Sequence, residues 1–220
     1  MNKPKLFVGG LLAVGCLALG STAFAAQWQV EVTNVTPGQS FTPILAVTHF
    51  PPVKLFEVGE PASPGLAILA EAGDTAPLAQ ELRGQQRVGA VQTIGGLLGP
   101  GETRTFEVEG RPGQSLSLAA MLIPTNDTFF AISSVTLPTA GRAVVQAIAY
   151  DAGSEPNDQD CNNIPGPRCG GAGASPAPSA ADEGFVHVGN GFHQLDGSAL
   201  QPAHYDWNNP VAVVKIRRVY

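Results

Sequence analysis

Short runs of alternating polar and apolar residues, each cut off by glycine or proline, recur along this chain and leave it little freedom of fold. Gln27-Trp28-Gln29-Val30-Glu31-Val32-Thr33-Asn34-Val35-Thr36 has the two-residue period of a half-buried strand, and Pro37-Gly38 ends it as a turn. Residues 102–109 repeat the pattern after a Gly/Pro-rich turn, and residues 210–220 place Val211, Val213, Lys215 and Arg217 on one alternating face. Residues 115–123 are more continuously apolar, as in a central strand covered on both faces. Residues 41–50, 54–58, 129–132, 143–150 and 184–189 read as further strands. Pro43 interrupts one of these and predicts an edge position or a bulge there. Regular short strands separated by turn residues specify an all-β antiparallel sandwich.

Helical patterning is confined to one interval. Ser63 is placed as an N-cap with Pro64 at the first helical position, and Leu66, Leu69 and Ala70 share a face before Gly73. A second short helix is expected from Thr75 through Leu78 and Leu82 to Gly84. Their apolar faces are expected to pack on the edge of the sandwich.

Residues 1–25 read as a secretory signal: Lys3 and Lys5 form a basic start, residues 6–19 an apolar stretch, and Ala23-Phe24-Ala25 a small-x-small cleavage site. A lipoprotein reading at Cys16 loses to it, because apolar residues continue past that cysteine. The mature chain, residues 26–220, is then expected to be one exported domain, periplasmic or extracellular. Residues 170–182 form a flexible Gly/Ala/Pro insert within it. In an oxidising compartment the remaining cysteines, Cys161 and Cys169, read as a disulfide.

Charge excludes several classes of partner. The 12 Lys and Arg face 18 Asp and Glu, a net of −6. Without Lys3 and Lys5 the mature chain has 10 basic residues against 18 acidic ones, a net of −8. Basic residues cluster only at Arg217-Arg218, so nucleic acid and anionic membrane surfaces are poor partners. An extracellular protein or a glycan remains.

Catalytic signatures are also missing from the sequence. There is no Gly-x-Ser-x-Gly elbow, and His49, His187, His193 and His204 fall at no metalloprotease spacing. His187, His193 and His204 follow one another closely enough to make a transition-metal site conceivable, but scattered hydrogen-bonded or solvated residues are preferred. His49 is likewise read as hydrogen-bonded structure. A non-enzymatic protein is expected, with a hydrolase using the His-bearing C-terminal region as the outlying alternative.

The chemistry concentrates in acidic turns instead. The apolar run of residues 143–150 ends in Asp151-Ala152-Gly153-Ser154-Glu155, where a glycine lets the chain fold back and aim two carboxylates at one point. Calcium takes six to eight oxygens, so a further ligand must come from elsewhere. Asp127, in Pro124-Thr125-Asn126-Asp127-Thr128-Phe129, is the candidate. Asp127, Asp151 and Glu155 are therefore expected to share a calcium ion at one end of the sandwich.

Ordered blocks of this sequence resemble the spondin N-terminal domain family, found in F-spondin and mindin and in secreted bacterial proteins. They are Val30-Glu31-Val32-Thr33-Asn34-Val35-Thr36-Pro37-Gly38-Gln39, Phe41-Thr42-Pro43, Phe56-Glu57-Val58-Gly59, Pro124-Thr125-Asn126-Asp127, Tyr150-Asp151-Ala152-Gly153-Ser154-Glu155 and residues 210–218. The resemblance implies eight antiparallel strands in a sandwich similar to C2 domains, with calcium at one end. It also implies metal ligands at Asp127, Asp151 and Glu155. Glu155 stands where the animal domains carry Asp, which displaces one carboxylate by a methylene. The acidic insert and the Gly/Ala/Pro tract look like the bacterial branch. A variant of this reading gives the calcium end a ligand or membrane contact, as in some C2 domains.

Overall fold

The computed structural model describes residues 25–171, 173 and 179–219. The signal reading lies outside the described residues, save Ala25, and so does the centre of the Gly/Ala/Pro insert. Among the described residues ten strands, all paired antiparallel, are joined in one sheet that curls almost back on itself. Eight of them form its path: β4 (Val88–Ile94), β3 (Ile44–His49), β6 (Ser115–Ile123), β7 (Thr128–Thr136), β8 (Arg142–Asp151), β10 (Ala212–Arg218), β1 (Ala26–Asn34) and β5 (Thr103–Gly110), in that order. Two short strands flank it, β2 (Ser40–Phe41) on β6 and β9 (His187–Val188) on β8. The end strands meet through side chains: Gln92 Nε2 donates to the Glu107 carbonyl at 2.7 Å, and Thr48 Oγ1 of neighbouring β3 donates to the Glu109 carbonyl at 3.0 Å. The all-β expectation stands.

Alternation dictates which residues turn inward. On β1, Trp28, Val30 and Val32 are buried, and they meet Phe41, Leu116, Leu118, Phe130, Val214 and Ile216 in the interior. All nine residues of β6 are buried, because its outer face is covered by helices. Helices α1 (Pro64–Ala72) and α2 (Ala76–Arg83) lay Leu66, Leu69, Leu78 and Leu82 over Leu45, Val47, Ala119 and Phe129. Ser63 caps α1 by accepting the Leu66 N–H at 3.2 Å, and Pro64 opens the helix. Glu81 fastens the two helices by accepting from the Gly65 N–H and from Ser63 Oγ, each at 2.7 Å. A short third helix, α3 (Pro202–Tyr205), precedes β10.

Two local expectations change, and one strand was unforeseen. Residues 54–58 are not a strand. Lys54 and Glu57 pair across a turn at 2.7 Å, and Phe56 packs edge-on against Phe129 and Tyr150 instead. Strand β4 was not legible, since its Gly89 and half-exposed residues give a weak pattern. Pro43 marks neither an edge nor a bulge: it divides β2 from β3, and both pair with β6.

Candidate metal centre

Sheet register creates the site. Thr128 on β7 pairs with Asp151 on β8, so the turn before β7 and the loop after β8 leave the sheet at the same end. Asp127 then ties them together. Its carbonyl accepts from the Ala152 N–H at 3.1 Å, while Oδ2 accepts from the N–H groups of Ser154 and Glu155 at 2.7 and 3.1 Å. Thr125 Oγ1 accepts from the Thr128 N–H at 3.2 Å and fixes the turn that presents Asp127.

A third segment folds over the same corner. Gly153 has φ +64°, and a Cβ there would run into the backbone of Phe185. Its carbonyl accepts from the Gly184 N–H at 2.8 Å, and β9 pairs His187 opposite Asp151. His187 Nε2 lies 3.4 Å from Asp151 Oδ1. Asn157 Nδ2 bridges two carboxylates, donating to Asp151 Oδ2 at 2.9 Å and to Glu183 Oε1 at 3.1 Å. One ligand atom each from Asp151, Glu183 and His187 lies within 4.8 Å of the others. This is the grouping of three ligating side chains that closes to that distance among the described residues.

The sequence-derived trio is therefore distributed as follows. Asp127, Asp151 and Glu155 are all buried at this one corner. Asp127 binds the backbone of Glu155 and lies within electrostatic reach of Asp151 and Glu183. The tight grouping nonetheless runs through Asp151 to Glu183 and His187, which sequence reasoning did not choose. His187 was weighed with His193 and His204 as a conceivable transition-metal group, not with the acidic turns. Its pairing with Asp151, across the insert, is a register that no local pattern announces.

Burial and like charge set the electrostatics. Asp127 is 0 % exposed, and its Oδ1 has no hydrogen-bond partner. Burial first, then the Asp151 charge and more weakly that of Glu183, push its carboxyl up to about 8 against the pull of two backbone N–H groups. Asp151 is also raised by burial, opposed by its bonds from Asn157 and Gly153 and by His187. Among the described residues no Lys or Arg forms an ion pair with Asp127, Asp151 or Glu183. An oxygen-rich corner without its own cation is suited chemically to take one from solution.

The remaining candidates fall elsewhere. Cys161 and Cys169 form the expected disulfide, eight residues apart in sequence. His49 Nε2 shares a 2.8 Å hydrogen bond with Ser117 Oγ, as its structural reading anticipates. That Ser–His pair is buried, and His49 Nδ1 meets no orienting acid. His204 stacks edgewise by Tyr205, and His193 lines a cavity next to the acidic corner.

Comparison with known families matches residues 22–157 to the Spondin_N model, more than half of the chain and the whole stretch from β1 to the Asp151–Glu155 loop. No curated protein shows significant similarity to it. Glu183, His187 and β10 lie beyond the matched segment, although they complete the corner and the sheet. On that match, the chain belongs to the spondin N-terminal domain family.

Proposed function

We propose that this chain is a secreted, non-enzymatic binding module for an extracellular protein or glycan, with one structural calcium ion at its acidic corner. The observation that carries the cation is Asp127 Oδ1, fully buried and without a hydrogen bond beside the carboxylates of Asp151 and Glu183. A buried anionic oxygen is costly unless something positive meets it. Asp127, Asp151 and Glu155 would hold the ion, with Glu183 available to complete an oxygen shell. Bound calcium would neutralise the corner and cross-link the two loops.

Family membership and the Cys161–Cys169 bond support an extracellular setting. No helix among the described residues is long and apolar enough to cross a membrane. The non-enzymatic reading draws on the buried, incomplete Ser117–His49 pair, which no substrate could reach.

Thermal unfolding in EDTA and in excess calcium tests the reading. Calcium at a hundredfold its Kd should add about 2.7 kcal/mol of stability. An unchanged melt, or an Asp151→Asn variant that responds like the parent, rejects the site. His187 supports a second reading, because an imidazole nitrogen beside two carboxylates is a donor set for zinc. Zinc stabilisation exceeding that of calcium, and lost in His187→Ala, would select it.

A further inference from the structure

Strand register gathers arginines at the end of the sheet opposite the acidic corner. Arg142 opens β8 and Asp151 closes it, and Arg142 faces Arg217 directly across the β8–β10 ladder. Arg218, opposite Trp28 on β1, stands at the same end, with Arg111 just after β5 and Arg87 just before β4. Of the acids, register brings Glu107 and Glu109 of β5 here, and the turns at this end, residues 111–114 and 137–141, contain none. A chain of net charge −6 thus carries a positive end, assembled from four separate stretches of sequence. Like charges directly opposite on a ladder are destabilising, so the sheet gains nothing from placing Arg142 against Arg217.

The partners that hold these side chains are neutral. Arg217 Nε donates to Gln29 Oε1 at 2.9 Å, and Arg87 Nη1 donates to the Pro51 carbonyl at 2.9 Å. The Arg218 guanidinium lies over the Trp28 ring, 5.9 Å from its centre. Arg87 takes φ 74°, uncommon for a residue with a Cβ, and its carbonyl accepts from the Phe50 N–H at 2.9 Å. Among the described residues none of Arg87, Arg111, Arg142 and Arg217 forms an ion pair with an acid. Such anchors fix position without cancelling charge, and a guanidinium so held can still receive an anion. A cleft of about 490 Å³ lies at this end, where β4 and β5 face each other without pairing, and Arg87 and Arg111 line it together with Glu109, Gln114 and Phe50.

The spacing selects the ligand. From β8 to β5 the sheet steps through β10 and β1, three interstrand spacings or about 14 Å. A single sulfate or phosphate cannot touch both the Arg142–Arg217 pair and the Arg111 cleft, so the fitting partner is a chain with anionic groups repeated along it. Guanidinium forks match the oxygens of sulfate and carboxylate groups. Single-stranded nucleic acid binds on aromatic platforms, and a membrane surface takes up apolar side chains. Among the described residues no exposed aromatic ring stands at this end, and Val144 is the one large exposed apolar side chain near it. We propose that this end binds a sulfated polysaccharide, its sulfates spread from the Arg142–Arg217 pair to the cleft beyond β5. The inference deepens the glycan arm of the binding-module reading, on which it rests, and uses none of the cation ligands.

The test titrates a heparin decasaccharide into the ¹⁵N-labelled chain in EDTA and about 0.1 M NaCl. Neutral dextran, a DNA duplex of matched charge and vesicles of phosphatidylcholine with about a quarter phosphatidylserine are the comparisons. Heparin should bind with a Kd in the micromolar range. Backbone signals of residues 87–90, 109–114, 142–144 and 215–218 should move, while those of Asp127, Asp151 and Glu183 stay still. Arg217→Gln should weaken binding at least threefold, and Arg111→Gln/Arg142→Gln/Arg217→Gln at least thirtyfold. Arg104→Gln, the same change of net charge at the far end of β5, should leave the affinity unchanged. Should the triple variant not fold, the single variants and the signals of the parent chain decide. No saturable heparin binding overturns the proposal, as do movement centred on the acidic corner, equal weakening by Arg104→Gln, or dextran, DNA or vesicles bound as tightly as heparin. Calcium-dependent melting is read on a separate sample without EDTA. Loss of the calcium response with heparin binding intact sinks the cation reading alone, and the reverse sinks this proposal alone.

Discussion

Asp127 does two jobs with its two oxygens. Oδ2 binds the Ser154 and Glu155 N–H groups and closes the corner, whereas Oδ1 meets no donor. A carboxyl raised to about 8 in the fold and near its ordinary value in the unfolded chain is ionised more easily when unfolded. The metal-free protein should therefore lose stability as pH rises from about 4 to about 8. Saturating calcium should flatten that decline, because the ion favours the ionised form. Asp127→Asn should also flatten it, raise metal-free stability by about 1–3 kcal/mol and abolish the calcium response. Urea unfolding at several pH values, with and without EDTA, checks all three. At this scale the sequence singled out Asp127, Asp151 and Glu155, because acidic residues around a glycine can form a turn that chelates, and the fold buries all three at one corner. It was silent on Glu183, which sits at the end of a low-complexity tract.

Among the elements, β9, as short as β2 at 2 residues, has the largest consequence. Two residues on the flank of β8 deliver His187 to Asp151. Their approach depends on Gly153, where the backbone takes a left-handed turn under Phe185. Gly153→Ala should cost at least about 1–2 kcal/mol from the turn conformation alone. It should also weaken cation binding tenfold or more by lifting the segment that carries Glu183 and His187. Chemical denaturation and a calcium titration of the variant measure both effects; wild-type values in each would show that the segment docks without the glycine. The longer strands and both helices were readable, since alternation and the Ser63-Pro64 cap are local signals. Strand β4 was not, because it is held by neighbours: a Cβ on Gly89 would meet the Gln114 and Thr48 side chains at 2.7 and 2.8 Å, a constraint invisible along the chain.

For the molecule as a whole, the segment matched to the family is not enough to make the fold. It ends at residue 157, but β10 lies between β8 and β1 and hydrogen-bonds to both. A chain ending at Asn157 should show no cooperative thermal transition by circular dichroism, whereas the full chain should melt in one step. A sharp melt of the shortened chain would mean that β8 and β1 can pair directly. The pairing of the first strand with the last also bears on the order of events in a cell. A polypeptide delivered amino end first exposes β1 long before Ala212–Arg218 emerges to sit beside it. Until then the sheet has a gap at its middle, between β8 and β1.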